Sequence, residues 1–240
     1  MKWSMLLCSC CVAALSVPAG ATILANGGFE EADCAQGIPT AFGYWTGNDI
    51  AEVVGPENGI RPFEGTRMLR FITTGGIGNA TTVTSNINQA VDLSPWGSLI
   101  ETGRAELIVS GWFNRIHVDD WTDTLFGIEV GAYAGSIEDL ASTGLNPPYS
   151  RTVWLETDRA PDTWELVGKK FVLPDWTRFV VVEIMAHENM YNDIAGQGEF
   201  HGHYADMISL EIVPEPGTLL LLALGGLSVL RAAPGRSRVR

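Results

Sequence analysis

The sequence has little cysteine outside its first 21 residues. Three of its four cysteines, Cys8, Cys10 and Cys11, lie there, and only Cys34 remains in the rest of the chain. A single cysteine cannot form an internal disulfide, so the body of the protein must depend on a packed core for its stability. Two alternatives stay open for Cys34, a reduced thiol or an intermolecular link.

The motifs of common enzyme classes are also missing. The sequence contains no G-x-S-x-G elbow, no H-E-x-x-H helix and no glycine-rich phosphate loop. Two suitably spaced carboxylates could hydrolyse a glycoside, but 28 acidic residues single out no pair. We therefore expect a non-catalytic protein and keep a glycan-active hydrolase as the less favoured alternative.

Basic residues are few and lie mostly at the two ends of the chain. Leaving out residues 1–21 and 215–240 removes Lys2, four arginines and Glu215, so residues 22–214 keep 27 acidic and 10 basic side chains, a net charge of −17. Such a surface repels nucleic acid and anionic lipid. It suits cations or neutral polysaccharides, and the 193 residues suffice for one domain with a core.

The N-terminal residues have the layout of a secretory signal peptide. Lys2 precedes an apolar stretch over residues 5–17, and Ala19, Gly20 and Ala21 form a small-residue cleavage site. We expect a signal helix, Sec-dependent export and cleavage after Ala21. A lipoprotein reading of the segment around Cys10 is disfavoured, because the apolar run before it is too short.

The C-terminal apolar run is too short for a stable membrane span. Residues 217–230 number 14, about 21 Å of helix, whereas a span needs about 20 residues. The run follows Pro214, Glu215 and Pro216 and precedes a basic tail that begins at Arg231. Basic residues hold such an end on the cytoplasmic side. We therefore predict a short apolar helix that associates with the inner membrane only transiently.

This arrangement resembles the PEP-CTERM sorting signal of Gram-negative bacteria, with Pro214, Glu215 and Pro216 as its triplet. The resemblance implies recognition by an exosortase and delivery to the cell surface or to an extracellular, biofilm-like matrix. The predicted organisation is a signal peptide over 1–21, a domain over 22–213 and a sorting signal over 214–240.

Helical periodicity is scarce between residues 22 and 213. Short runs rich in β-branched and aromatic residues recur, separated by Gly, Pro, Asn and Asp. Nine strands are predicted, at Ala51–Val54, Arg67–Ile72, Thr81–Val91, Ala105–Ile116, Leu125–Tyr133, Arg151–Glu156, Trp164–Leu173, Arg178–Ala186 and Asp206–Val213. This pattern predicts an all-β, two-sheet sandwich of the jelly-roll type.

A second resemblance covers most of this body. Five motifs follow one another in order: residues 26–30 (NGGFE), 43–45 (GYW), 65–69 (GTRML), 164–174 and 204–210 (YADMISL). Together they resemble the galactose-binding-like jelly roll of many carbohydrate-binding modules. The resemblance implies binding of extracellular polysaccharide, and a structural or adhesive surface protein without a glycan ligand is the alternative.

The same resemblance implies a structural Ca²⁺ where the first and last strands meet. Glu30 and Asp206 would supply carboxylates, with backbone carbonyls near residues 65–67 completing the oxygen shell. The alternative is that both are surface acids beside a strand end.

Tryptophans are the candidate sugar platforms, because indole rings stack on the apolar faces of pyranoses. Trp121, Trp154 and Trp112 are the predicted ligand-binding residues. Two further metal sites are less favoured hypotheses. The first is the loop with Asp119, Asp120 and Asp123, which lacks the glycine and the distal glutamate of an EF-hand. The second is the cluster of Glu199, His201 and His203, with His187 as a further conceivable ligand.

Overall fold

A computed structural model describes residues 22–31, 34–47, 51–72, 84–115, 124–158, 160–187 and 203–215. The predicted signal peptide and the residues after Glu215 lie outside this part of the chain. Eleven strands are formed: β1 (Ala35–Gln36), β2 (Trp45–Gly47), β3 (Ala51–Val54), β4 (Met68–Phe71), β5 (Thr84–Asp92), β6 (Ala105–Arg115), β7 (Leu125–Tyr133), β8 (Tyr149–Glu156), β9 (Glu165–Val172), β10 (Phe179–His187) and β11 (His203–Pro214). Two short helices, α1 (Gly97–Ile100) and α2 (Leu140–Thr143), each follow a 3₁₀ turn.

The strands form two sheets. One has six strands in the order β1-β2-β5-β10-β7-β8, and the other has five in the order β3-β4-β11-β6-β9. Apart from the parallel pair β1 and β2, the described strands pair antiparallel. Consecutive strands such as β6 and β7, or β9 and β10, belong to different sheets, so the chain crosses repeatedly between them. The prediction of an all-β, two-sheet jelly-roll sandwich is confirmed.

The core lies between the sheets because the strands alternate in side-chain character. In β6, Leu107, Val109 and Phe113 are buried, whereas Ile108 and Trp112 point to the outside. The central strand β10 is covered on both sides. Its inward residues join the main core, and outward Val181 joins a second cluster with Tyr133, Phe179, Ile137 and Leu140.

The first described residues run beside the last strand. The Ile23 amide donates to the Leu210 carbonyl at 2.7 Å, and the Ile208 amide donates to the Gly27 carbonyl at 2.8 Å. A Cβ atom on Gly27 would lie 1.9 Å from the Ile208 carbonyl oxygen, so only glycine permits this approach. The two ends of the body are thus joined side by side.

Each predicted strand is present, and its bounds differ by at most three residues where the chain is described. Residues 81–83 and 116 of two predicted strands lie outside the described residues. The sequence missed β1 and β2, which have only two and three residues and show no alternation. The last strand continues through Pro214, which pairs with Ala105, so the first residue of the predicted sorting signal belongs to the sandwich. The Glu215 amide then donates to the Arg104 carbonyl at 2.8 Å.

Candidate functional site

A row of polar side chains crosses the outer face of the six-stranded sheet. Asn88 on β5 is paired with Glu183 on β10, which is paired with Glu129 on β7, which is paired with Thr152 on β8. Directly paired residues point to the same side of a sheet, with Cβ atoms about 4.5–5.5 Å apart. These four residues, hereafter the polar row, therefore form a continuous line across four strands.

Hydrogen bonds hold the two glutamates of the polar row in place. The Asn86 amide donates to Glu183 Oε1 at 2.5 Å, and the Thr152 hydroxyl donates to Glu129 Oε2 at 2.9 Å. Asn88 is only 4% exposed, and its Oδ1 atom is buried without a hydrogen-bond partner. The row therefore presents oxygen atoms that have no donor within the described structure.

The charges of the polar row are not balanced by cations. Within the described residues, neither Glu129 nor Glu183 forms an ion pair. Burial raises the pKa of the Glu183 carboxyl, the hydrogen bond from Asn86 opposes that rise, and the charge of Glu129 adds to it. Burial, together with both glutamates, also raises the pKa of the nearby Tyr133 to about 12.

Trp154 lies at one end of this face. It points outward from β8 opposite Gly127, and a Cβ atom on Gly127 would lie 2.6 Å from the indole ring. The ring is therefore laid over the bare backbone of β7, beside His187 at a centroid distance of 5.8 Å. With 46% of its surface exposed, Trp154 offers an indole face to solvent.

The other end of the face holds a second group of aromatic residues. The rings of Tyr133 and Phe179 stack with centroids 4.9 Å apart and an interplanar angle of 6°, and Phe42 meets Phe179 edge-on. Between this end and the polar row is a small depression in the surface. It is lined by Asn88, Glu129, Gly131, Tyr133, Leu145, Pro147, Val181 and Glu183.

Two of the three predicted ligand-binding tryptophans, Trp154 and Trp112, lie on opposite faces of the sandwich. Trp154 lies on the outer face of the six-stranded sheet, whereas Trp112 points outward from β6 in the other sheet. Phe63 stacks on Trp112 with ring centroids 4.0 Å apart and an interplanar angle of 15°. Trp121 lies outside the described residues, as do Asp119, Asp120 and Asp123.

Glu129, Glu183 and Asn88 were not predicted as site residues from the sequence. One local signal was available, because Gly127, Glu129 and Gly131 alternate with buried apolar residues along β7. That pattern describes an outward face with two bare positions around one carboxylate. The pairing of Glu129 with Glu183 depends on strands more than 50 residues apart and has no local signal.

Glu30 and Asp206, the predicted calcium ligands, lie where the first residues meet β11 and the segment before β4. Glu30 Oε1 accepts hydrogen bonds from the amides of Thr66 and Arg67, at 2.7 and 2.9 Å. Asp206 accepts from the amides of Glu64 at 3.2 Å and Met207 at 2.7 Å. The two carboxylates thus bind the same short segment, 64–67.

The charges of this pair suit a cation. Asp206 is fully buried, and this burial raises its pKa to about 6, with the nearby Glu30 charge contributing to the rise. The pKa of Glu30 is lowered, first by the hydrogen bond from the Arg67 amide. Carboxylate oxygens are the donor type that Ca²⁺ prefers. In the part of the chain described, no group of three or more His, Cys, Asp and Glu side chains is placed to hold a metal, so backbone carbonyls or water would supply the other ligands.

Of the predicted histidine cluster, the structure describes His203 and the further candidate His187. Glu199 and His201 lie outside the described residues. His203 begins β11 and is fully buried, with its ring edge-on to Phe126 at a centroid distance of 5.7 Å. His187 lies on the outer face, where its Nδ1 atom is 2.7 Å from the Thr84 hydroxyl.

A sorting motif begins at the C-terminal end of the sandwich. Strand β11 leads directly into Pro214 and Glu215, and residues 213–236 match the PEP-CTERM protein-sorting motif. The chain carries this sorting motif. PEP-CTERM sorting implies that the protein is exported and sorted to the cell envelope. Among the described helices none is long and apolar enough to cross a membrane, and residues 217–230 lie outside the described part.

Several solved structures resemble the sandwich. TmCBM61 in complex with β-1,4-galactotriose is 15% identical, with 80% of this chain and 98% of that chain covered and a TM-score of 0.46. The C-terminal family 22 carbohydrate-binding module of Clostridium thermocellum Xyn10B is 16% identical, with coverages of 78% and 95% and a TM-score of 0.39. Arabinose-bound MgGH51 α-L-arabinofuranosidase is 14% identical, with coverages of 80% and 26% and a TM-score of 0.45. At these values the likenesses decide nothing about a ligand or an activity. The search of curated proteins found no match.

Proposed function

We propose that this exported protein binds extracellular polysaccharide, without cleaving it, on the outer face of the six-stranded sheet. The observation that carries the proposal is the exposed indole of Trp154 beside the polar row. An aromatic face stacks on the apolar face of a pyranose ring, while carboxylates and amides take up its hydroxyl groups. Both kinds of group lie here on one surface.

The opposite face of the sandwich supports sugar binding less well. Phe63 covers one side of the Trp112 ring, and Asn58 donates to the Tyr204 hydroxyl at 2.8 Å. The Glu64 amide binds Asp206 on the same face. Residues 58–64 therefore lie across part of that face and occupy its polar and aromatic groups. Trp112 remains a prediction, and Trp154 is the residue that we assign to the ligand.

The negative charge of the chain favours a neutral polysaccharide over an anionic one as the ligand. The net charge of −17 over residues 22–214 and the two glutamates of the polar row disfavour a polyanion. A neutral polysaccharide brings hydroxyl donors to these carboxylates without charge repulsion. The proposed ligand is therefore a neutral glycan of the cell surface or extracellular matrix.

The sorting motif supports a proposal for where in the cell the protein acts. We propose Sec export of the chain, transient anchoring in the inner membrane of a Gram-negative bacterium through residues 217–230, and recognition by an exosortase. Delivery to the surface or to a biofilm matrix would place the binding face next to exported polysaccharide. Glu30 and Asp206 would hold a structural Ca²⁺ that ties the first residues to β11 in a protein that lacks an internal disulfide.

We expect replacement of Trp154 by alanine to weaken polysaccharide binding at least tenfold, because a buried aromatic contact of this kind contributes about 1.4 kcal/mol or more. Retardation of the protein in native gels that contain a panel of soluble neutral polysaccharides measures the loss. Trp176→Ala is the matched control, since Trp176 is similarly exposed but lies in the connection between β9 and β10. Equal losses in both variants would refute the assignment of Trp154. Absence of retardation by every glycan would favour the structural or adhesive alternative.

One observation favours a second candidate, glycoside hydrolysis. Glu129 and Glu183 are cross-strand partners, whose Cβ atoms lie about 4.5–5.5 Å apart. Retaining glycosidases also use two neighbouring carboxyl groups. Glu183, with its raised pKa, would protonate the glycosidic oxygen, and Glu129 would attack the anomeric carbon before water releases the sugar. Turnover of a chromogenic glycoside panel that disappears in Glu183→Gln would establish this candidate, and no turnover would leave binding alone.

A further inference from the structure

The two glutamates of the polar row form an acidic pair that has no ion-pair partner among the described residues. Glu129 and Glu183 are cross-strand partners, and like charges in this arrangement destabilise a sheet. Within the described residues, each accepts one side-chain hydrogen bond, from Thr152 and Asn86 respectively, and each has a second carboxylate oxygen without a donor. The arrangement leaves negative charge gathered at one point of the outer face.

A third oxygen next to this pair is also unused. Asn88 is the cross-strand partner of Glu183 on its other side, and it lines the same depression as both glutamates. Its Oδ1 atom is buried and has no hydrogen-bond partner. Leaving a buried amide oxygen unsatisfied costs about 1–3 kcal/mol, so such an atom commonly marks a bound water or ion. The unpaired oxygen of Asn88 is a separate observation from the acidic pair, and it lies at the same depression.

We propose that Glu129, Glu183 and Asn88 bind a divalent cation, Ca²⁺ by the chemistry of its ligands, and that sugar hydroxyls complete its coordination. All three donors are oxygen atoms, which Ca²⁺ prefers and which Zn²⁺ and Cu²⁺ do not select. Ca²⁺ takes six to eight oxygens, and these three side chains supply fewer, so water or a diol of the glycan would supply the rest. The contribution of the cation to glycan binding rests on the proposed function, whereas cation binding itself does not.

A cation at this place would account both for the facing carboxylates and for the unpaired oxygen of Asn88. It neutralises the facing carboxylates and gives Asn88 Oδ1 a partner. The site is separate from Glu30 and Asp206, which lie at the junction of the first residues with β11 in the other sheet.

Calorimetric titration with CaCl₂ tests cation binding. In a Glu30→Gln background, which removes a ligand of the junction, we expect one Ca²⁺ to bind and its affinity to fall at least tenfold when Glu129→Gln is added. Glu156→Gln is the matched control, because Glu156 is an exposed glutamate of β8 on the same face, two residues from Trp154. We expect it to leave the affinity unchanged. Terbium luminescence sensitised by the nearby aromatic rings provides a second readout in the otherwise wild-type protein.

An unchanged affinity in Glu129→Gln, or no Ca²⁺ binding by a folded Glu30→Gln protein at millimolar concentration, would overturn the proposal. Circular dichroism verifies that each variant is folded. If Glu30→Gln does not fold, the terbium titration of Glu129→Gln and Glu156→Gln decides the question, and equal emission from the two variants overturns the proposal.

Gel retardation with and without chelator separates this proposal from the proposed function. We expect chelator to abolish the retardation and added CaCl₂ to restore it. If chelator has no effect while Trp154→Ala still abolishes retardation, the glycan function stands and the cation proposal fails. If Ca²⁺ binds through Glu129 but no polysaccharide is retained, the cation site stands and the glycan function fails.

Discussion

Replacing Phe126 with alanine is expected to lower the free energy of unfolding by about 3–5 kcal/mol. Phe126 is fully buried on β7 between the sheets, with ring centroids 5.9 Å from Phe71, 5.1 Å from Phe113 and 5.7 Å from His203. These three partners belong to the five-stranded sheet, so the ring joins both layers of the sandwich. Alanine would remove these contacts and leave a cavity that the strands on either side cannot close.

Urea denaturation followed by tryptophan fluorescence measures this loss. Leu166→Ala is the control, because Leu166 is apolar but 54% exposed on the edge strand β9. Surface substitutions of this kind change stability by about 0.5 kcal/mol or less. A loss below about 1.5 kcal/mol in Phe126→Ala would show that the two sheets do not meet around this ring. The domain contains a single cysteine, so no internal disulfide can mask the effect.

Most of the fold could be predicted from the sequence because its strands carry local signals. Alternation in β6 and the continuous apolar run of β10 reflect how many faces each strand buries. Strands β3 and β7 were predicted with their actual bounds. Strand β2 was not predicted because three residues are too few to show a period, and all three are buried, so they show no alternation.

The candidate site could be predicted only in part. Trp154 was predicted from the sequence as a candidate ligand-binding residue, and its indole is exposed on the outer face of the six-stranded sheet. The polar row could not be found, because it depends on the register between β5, β10, β7 and β8, which local sequence does not encode. The orientation of Trp112 was also undetermined, since Phe63 approaches it from a segment nearly 50 residues away.

The junction between the first residues and β11 shows what a resemblance adds to a local pattern. Glu30 and Asp206 are 176 positions apart, and neither has a neighbouring ligand motif in the sequence. The structure brings both carboxylates to residues 64–67, with Asp206 buried and no cationic side chain bound to either of them within the described residues. A cation there would hold three distant segments together, which is the role a disulfide has in many exported domains.

Removing bound Ca²⁺ is therefore expected to lower the thermal midpoint by about 5–10 °C. A ligand at 100 times its dissociation constant stabilises the folded state by about 2.7 kcal/mol, and each kcal/mol shifts the midpoint of a domain of this size by about 2–4 °C. Differential scanning calorimetry of the purified protein in CaCl₂ and after chelation measures the shift. The physical reason is that the two carboxylates lose the positive charge that offsets the burial of Asp206 and its repulsion with Glu30.

Two variants assign this shift to one of the two proposed cation sites. Glu30→Gln removes a ligand from the junction, so its midpoint should be low already and respond little to chelator. Glu183→Gln alters only the polar row and should retain most of the shift, because the cation on that open face joins neighbouring strands of one sheet that are already hydrogen-bonded. A midpoint that chelation does not change would contradict the structural Ca²⁺. A shift lost in Glu183→Gln but kept in Glu30→Gln would transfer the stabilising ion from the junction to the outer face.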